Sequence, residues 1–159
     1  LIDLIVARGG LVKNLHGQRN MYYQVNATYF SALGESEQKL LMARAIQLFM
    51  PGKPQIWYLD LFAGKNNYEA VKRAGASGHK EINRTNLTSD EIAEALKNEV
   101  VQKQIEMIRF RNTCKAFEEG AKISIEEEDG VLRIIWSKGI FSAELAVDFI
   151  NGEYAIKEN

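Results

Sequence analysis

Three basic side chains recur at regular spacing near the start of the chain and could bind an anion: Lys13, His16 and Arg19. They lie in a polar loop, residues 11–24, that shows neither helical nor strand periodicity and ends at the aromatic pair Tyr22-Tyr23. Such side chains pair with phosphate or carboxylate groups. A second charged cluster, Gly-His-Lys-Glu-Ile-Asn-Arg at 78–84, includes Lys80. Both are candidate binding sites, and simple solvation is the alternative for a surface cluster.

Carboxylates that could serve glycoside or acyl chemistry occur at two places. Glu126–Asp129 is an acidic run at a predicted hairpin tip, which is typical of a solvated edge that resists aggregation. Asp60 instead ends a short apolar run, the position at which barrel enzymes place functional groups. The alternative for Asp60 is that it only caps the following loop.

Composition excludes several classes of function. The chain has 159 residues and a formal net charge of -1, which gives no electrostatic bias toward nucleic acid or membranes. The two histidines, His16 and His79, are far apart and predict no metal site, and the glycines spell no nucleotide-binding motif. Cys114 is the single cysteine, which fits a reducing cytoplasm. The sequence predicts neither a membrane span nor a signal peptide.

An apolar run in the middle of the chain must position Asp60. Residues 36–50 begin at a serine able to cap and are apolar on nearly every face, which predicts a buried helix. Gln55–Leu61 is short and continuously apolar, which predicts a strand covered on both faces. A single parallel strand cannot satisfy its own backbone, so we expect its partners upstream. The helix-like pattern that begins at Leu1 also suggests a missing N-terminal part.

The next segment predicts one polar connection and then helices. Residues 64–87 predict a long connection with one short helix near Tyr68–Arg73. Thr88–Glu91 is a capping box, so a helix is expected to start there. Asn98 is expected to interrupt the helical stripe, which resumes up to about Phe117.

The last segment has the period of strands. Phe141–Phe149 alternates apolar and polar residues, as a strand with one buried face does. Asp129-Gly130 and Asn151-Gly152 are two-residue hairpin signals. Residues 122–157 therefore predict a four-stranded antiparallel meander.

Four segments together resemble the sucrose phosphorylase subfamily of glycoside hydrolase family 13: YYQVNATYFSALG (22–34), ARAIQLFMPGKPQIWYLDLFAGKNN (43–67), GHKEINRTNLT (78–88) and VVQKQIEMIRFRNTCKAF (100–117). The resemblance implies an α/β chain that forms the C-terminal end of a (β/α)8 TIM barrel and then a small antiparallel β-sheet domain. Residues 1–117 would be the last portion of the barrel, with the acceptor-site loop and the strand 8 region. Residues 118–159 would be the β domain.

The resemblance also implies an activity. Members of this family retain the anomeric configuration through an aspartate nucleophile and a glutamate acid/base. The fragment would belong to a disaccharide phosphorylase that transfers glucose from a sucrose-like α-glucoside to inorganic phosphate, giving α-glucose 1-phosphate. Its catalytic carboxylates are implied upstream of Leu1, so none is assigned here. The implied partners are a sugar and phosphate, without a cofactor or metal, in a cytoplasmic enzyme that could form a homodimer.

Binding roles carry over to a few residues. By similarity, Tyr23 and Gln24 belong to a mobile loop that lines the acceptor and phosphate subsite. Lys80 stands where relatives often use arginine to hold hydroxyls of the glucose, and Asp60 stands where many relatives have glycine. The compact ammonium group of Lys80 replaces the planar guanidinium group of an arginine, which changes the geometry of that contact.

The basic residues of the loop 11–24 indicate which kind of acceptor the enzyme would use. It lacks the carboxylate usual in sucrose phosphorylases and gains three basic residues: Lys13, His16 and Arg19. This pattern favours an anionic acceptor, as in glucosylglycerate phosphorylase first and sucrose 6'-phosphate phosphorylase second. The alternatives are a plain sucrose phosphorylase or other family 13 glucosidase or transglucosidase, and a non-catalytic structural or interaction module.

Overall fold

The computed structural model describes residues 1–15, 18 and 21–159. Its α-helices are α1 (Ile2–Ala7), α2 (Tyr29–Ala32), α3 (Glu37–Phe49), α4 (Tyr58–Leu61), α5 (Tyr68–Ala74), α6 (Ser89–Ala95) and α7 (Glu99–Thr113). Its strands are β1 (Leu11–Asn14), β2 (Tyr22–Asn26), β3 (Lys122–Glu128), β4 (Val131–Lys138), β5 (Phe141–Asp148) and β6 (Glu153–Glu158). Short 3₁₀ helices cover Gly75–Asn83 and Lys115–Phe117.

Backbone contacts divide the chain into two compact units. The first unit comprises Leu1–Leu40 and Ile56–Val101, and the second unit comprises Leu41–Gln55 and Gln102–Asn159. This grouping follows contacts, and the expected boundary between a barrel part (1–117) and a β domain (118–159) stays a prediction. The fold is α/β with two antiparallel sheets, β1–β2 and β3–β4–β5–β6. Among the described residues, no helix is both long and apolar enough to cross a membrane.

The second unit contains the predicted meander. Its four strands pair antiparallel in sequence order. One face carries the buried side chains of β4 and β5, which are Ile134, Trp136, Ala143, Leu145 and Val147. Phe117 packs edge-on against Phe49 at 5.2 Å and against Trp136 at 5.3 Å between ring centroids. The Trp136 indole N–H also donates to the Phe49 carbonyl at 2.7 Å, so this aromatic core satisfies its buried polar group.

The edge strand β3 is exposed along its whole length. Glu126–Asp129 lies at the β3–β4 turn, as predicted. Asp129 and Gly130 both have positive φ, at 50° and 79°, which is the backbone that a two-residue hairpin requires.

The helix signals are also confirmed. The predicted buried helix 36–50 is α3, and the helix predicted near Tyr68–Arg73 is α5. The Thr88 hydroxyl accepts from the Glu91 N–H at 3.2 Å, and the Glu91 carboxylate accepts from the Thr88 N–H at 2.7 Å, which completes the capping box. Asn98 separates α6 from α7. The helix that was expected to reach Phe117 ends earlier: α7 stops at Thr113, and Phe117 lies in a 3₁₀ helix.

The predicted strand Gln55–Leu61 is wrong. Its second half is the helical turn α4, and Leu59 is buried while Trp57 is 51% exposed. No described strand lies beside the segment to accept ladder hydrogen bonds. Its aromatic side chains bond to backbone carbonyls instead: the Trp57 indole N–H donates to Asn83 at 3.1 Å, and the Tyr58 hydroxyl donates to Thr85.

Candidate functional site

A polar groove of about 290 Å³ lies in the first unit. Its lining side chains come from β2, from α4 and its preceding residue, and from the 3₁₀ helix with the residue after it. They are Gln24, Asn26, Trp57, Asp60, Lys80, Asn83 and Arg84. Three segments that are distant in sequence therefore meet at one surface.

The β1–β2 hairpin presents one face to the groove. Gln24 and Asn26 are two residues apart on β2, so they point to the same side of the hairpin. Lys13 pairs directly with Gln24, and directly opposed residues share a face. The hairpin thus places the exposed Lys13 side chain on the same face as the groove.

Two buried side-chain atoms in the groove are unsatisfied. Asn26 is only 8% exposed, and neither its Nδ2 nor the Gln24 Oε1 has a hydrogen-bond partner among the described residues. A buried polar group without a partner costs about 1–3 kcal/mol. One donor and one acceptor beside the groove are therefore left without a partner among the described residues.

An aromatic ring and a carboxylate complete the lining. Trp57 is half-exposed and its indole N–H donates to the Asn83 carbonyl, which fixes the ring at the groove. Asp60 Oδ1 accepts the Tyr29 N–H at 2.8 Å. An aromatic face beside amides and a carboxylate suits a sugar, whose C–H face packs on the ring while its hydroxyls bond to the polar groups.

Two cationic side chains line the same groove. Lys80 is exposed, and Arg84 pairs loosely with Glu81 at 4.0 Å with both side chains partly exposed. Among the described lining residues, Asp60 is the single carboxylate. Retaining glycoside chemistry requires two carboxylates about 5–5.5 Å apart. These lining residues are therefore equipped to bind a polar or anionic ligand rather than to cleave a glycosidic bond on their own.

The structure brings some of the predicted site residues together. Gln24, Lys80 and Asp60 line the groove. Tyr23 is not a lining residue: it is 60% exposed and sits where the β1–β2 register shifts. The predicted residues His16 and Arg19 lie outside the described residues.

Sequence reasoning missed three lining residues: Asn26, Trp57 and Asn83. Asn26 was detectable, because its two-residue spacing from Gln24 places both on one face if the loop is a strand. Trp57 was interpreted as part of a buried strand. Asn83 gave no separate signal. Among the described residues, no three His, Cys, Asp or Glu side chains cluster as metal ligands would.

Relatives of the chain match nearly all of it, although no family model does. The chain is 50% identical over 159 residues to a sucrose 6(F)-phosphate phosphorylase of Ilumatobacter coccineus, with 98% of this chain and 30% of that protein covered. It is 27% identical over 132 residues to a glucosylglycerate phosphorylase of Spirochaeta thermophila, with 74% of this chain and 22% of that protein covered. The crystal structure of the sucrose 6F-phosphate phosphorylase from Thermoanaerobacter thermosaccharolyticum gives a TM-score of 0.91 at 37% identity, covering 99% of this chain and 31% of that one.

The matches agree in their extent. The chain spans about 30% of the length of the sucrose 6(F)-phosphate phosphorylases that it matches. Sequence identity and the shared fold cover the same region, including the segments that line the groove. The resemblance predicted from the sequence is confirmed, and the chain is homologous to the C-terminal part of the sucrose phosphorylases of glycoside hydrolase family 13.

Proposed function

We propose that this chain is the acceptor-binding C-terminal part of a retaining disaccharide phosphorylase. The enzyme transfers the glucosyl group of a sucrose-like α-glucoside to inorganic phosphate and releases α-glucose 1-phosphate. The observation that carries this proposal is the match of 99% of the chain, at a TM-score of 0.91, to a sucrose 6F-phosphate phosphorylase. In the whole enzyme, residues 1–117 would complete a (β/α)8 barrel.

The preferred acceptor is a phosphorylated sugar rather than glycerate. Identity is 50% to a sucrose 6(F)-phosphate phosphorylase and 27% to a glucosylglycerate phosphorylase, which reverses the order favoured by the basic loop alone. The groove also provides cations for a phosphate group, with Lys80 and Arg84 in its lining and Lys13 on the adjacent hairpin face. The proposed substrate is therefore sucrose 6F-phosphate.

Each groove residue has a role in this proposal. The amide side chains of Gln24 and Asn26 would bond to sugar hydroxyls, because both residues line the groove. Trp57 would pack against the C–H face of a sugar ring. The absence of a resident cofactor remains part of the proposal. So does a cytoplasmic location, which the buried, free Cys114 supports.

The decisive experiment uses the full-length enzyme. Release of glucose 1-phosphate is measured with and without phosphate for sucrose 6F-phosphate, sucrose and glucosylglycerate. We expect phosphate-dependent release that is fastest from sucrose 6F-phosphate. Free glucose formed equally well without phosphate would identify a hydrolase instead, and equal or faster turnover of plain sucrose would refute the anionic acceptor.

One variant tests the basic hairpin directly. Lys13→Gln should raise KM for sucrose 6F-phosphate about tenfold and leave kcat/KM for sucrose within about twofold, because only the phosphate loses a charged contact. Lys72→Gln is the matched control, since Lys72 is an exposed lysine of α5 outside the groove lining. Equal losses with both substrates would show that Lys13 does not contact the phosphate.

A further inference from the structure

The backbone that follows β2 is fixed at three consecutive residues by side chains from three other segments. Asn83 Nδ2 donates to the Ala27 carbonyl at 3.3 Å. The Thr28 N–H donates to Asn66 Oδ1 at 2.8 Å, and the Tyr29 N–H donates to Asp60 Oδ1 at 2.8 Å. We call these three contacts the anchor.

The anchor begins one residue after the groove face of the hairpin. β2 ends at Asn26, so Gln24 and Asn26 are connected to the anchor by a few backbone bonds. Thr28 is also fixed by its own hydroxyl, which caps α2 by accepting the Ser31 N–H at 3.2 Å. A shift of the anchor would therefore move the unsatisfied groove atoms of Gln24 and Asn26.

Asn66 connects this anchor, which follows β2, to the backbone that precedes β1 at the other end of the hairpin. Its Nδ2 donates to the Gly9 carbonyl at 3.4 Å, and the same carbonyl accepts the Tyr68 hydroxyl at 3.1 Å. Gly9 precedes β1 by two residues and has a φ of 83°, and a Cβ there would lie 2.0 Å from the Tyr68 hydroxyl oxygen. Asn66 thus bonds to the backbone just before β1 and to the backbone just after β2.

We propose that Asn66 is a positioning residue for the groove: it holds both bases of the β1–β2 hairpin so that Gln24 and Asn26 face the bound sugar. Asn66 is not a lining residue, so it acts through β2. The effect on substrate binding rests on the proposed function. The positioning of the hairpin does not, because it follows from the contacts alone.

Adjacent asparagines provide a matched pair for the test. Asn67 makes bonds of the same kind to other partners: its Oδ1 accepts the Ala70 N–H at 2.9 Å and its Nδ2 donates to Thr85 Oγ1 at 2.9 Å. Asn67→Ala therefore removes a helix cap without touching the hairpin. Asn66→Asp keeps an acceptor for the Thr28 N–H but removes the donor to the Gly9 carbonyl, whereas Asn66→Ala removes both.

In the full-length enzyme, Asn66→Ala should raise KM for sucrose 6F-phosphate roughly three- to tenfold with kcat within about twofold, as expected for lost hydrogen bonds that position binding groups. Asn66→Asp, which keeps the Thr28 contact and loses the donor to the Gly9 carbonyl, should raise KM by an intermediate amount. Asn67→Ala should lower Tm and leave KM unchanged. An alanine variant with the KM of the wild type would overturn the effect on binding.

Amide hydrogen exchange separates this inference from the proposed function. Asn66→Ala should speed exchange in peptides covering residues 22–29, and Asn67→Ala should not. If the wild-type enzyme releases no glucose 1-phosphate, the proposed function fails and the exchange still decides the positioning role. Unchanged exchange in 22–29 would overturn it. Asn66→Ser takes the place of the alanine variant if that variant does not fold.

Discussion

In the second unit, strands β3–β6 bond to one another along their whole length over an aromatic core, whereas the β1–β2 hairpin of the first unit is held at its base by asparagine and aspartate side chains. The meander is held by apolar burial and by a regular backbone ladder. The hairpin is held by single hydrogen bonds from side chains to backbone groups. A loss in the second unit should therefore appear mainly as lost stability, and a loss in the first unit mainly as altered binding.

The difference also explains where ligand-binding groups can lie. In the meander the ladder pairs the backbone groups of neighbouring strands, and the buried face is apolar. The groove instead leaves atoms of Gln24 and Asn26 unsatisfied among the described residues. Such buried, unpaired atoms lower the stability of the fold.

The two tryptophans test the contrast most strongly. Trp136→Ala should lower the free energy of unfolding by about 3–5 kcal/mol, because Trp136 is 6% exposed and packs in the aromatic core. Trp57→Ala should cost about 1 kcal/mol, because half of that side chain is already in solvent. Urea unfolding measures both. Similar losses in the free energy of unfolding for the two variants would contradict the expectation that the second unit carries more of the stability.

The hairpin base is tested by Gly9→Ala, with an intermediate effect. Positive φ and the close Tyr68 hydroxyl should together lower the free energy of unfolding by about 1–3 kcal/mol. Tyr68→Phe removes the nearest atom, so the double variant should lose less than the sum of the two single variants. A double-variant cycle in urea measures this coupling, and strict additivity would show that Gly9 and Tyr68 do not meet.

The smallest expected effect is a pH dependence at the β5–β6 turn. Hydrogen bonds from Asn151, first from its backbone N–H and then from its side chain, lower the pKa of Asp148 below its ordinary value of 3.8. The folded pKa is depressed, so the stabilisation is present above about pH 3.8 and is lost as pH falls through the folded pKa.

Asp148→Asn provides the comparison for this effect. The difference in stability between wild type and variant should be full at neutral pH and should shrink below about pH 3.8. Thr88 similarly lowers the pKa of Glu91 in the first unit through its backbone N–H and hydroxyl, so the capping box weakens in the same direction. An NMR titration of Asp148 at its ordinary pKa would contradict the expected shift.

Most of the second unit could be predicted from the sequence because its signals are local. Asp129-Gly130 specifies a tight turn through two adjacent residues, and alternation along Phe141–Phe149 specifies which face is buried. The capping box in the first unit was predictable for the same reason, since its partners are three residues apart.

The groove was only partly predictable because its determinants are distant in sequence. Gln24 and Lys80 were predicted by resemblance, but the anchor joins residues more than thirty positions apart, such as Tyr29 and Asp60. The hairpin was missed because β1 and β2 lack a clean apolar–polar alternation. Gln55–Leu61 was wrongly predicted to be a strand, because its short, continuously apolar run was interpreted as burial on both faces.

One placement has a practical use beyond stability. The chain has two tryptophans, Trp57 in the first unit and Trp136 in the second unit. Their indole rings sit in contrasting solvent environments, so their fluorescence should peak at different wavelengths. Replacing either one with phenylalanine leaves a single tryptophan in this chain, and ligand titration or denaturation could then be followed by tryptophan emission in each unit without an added label.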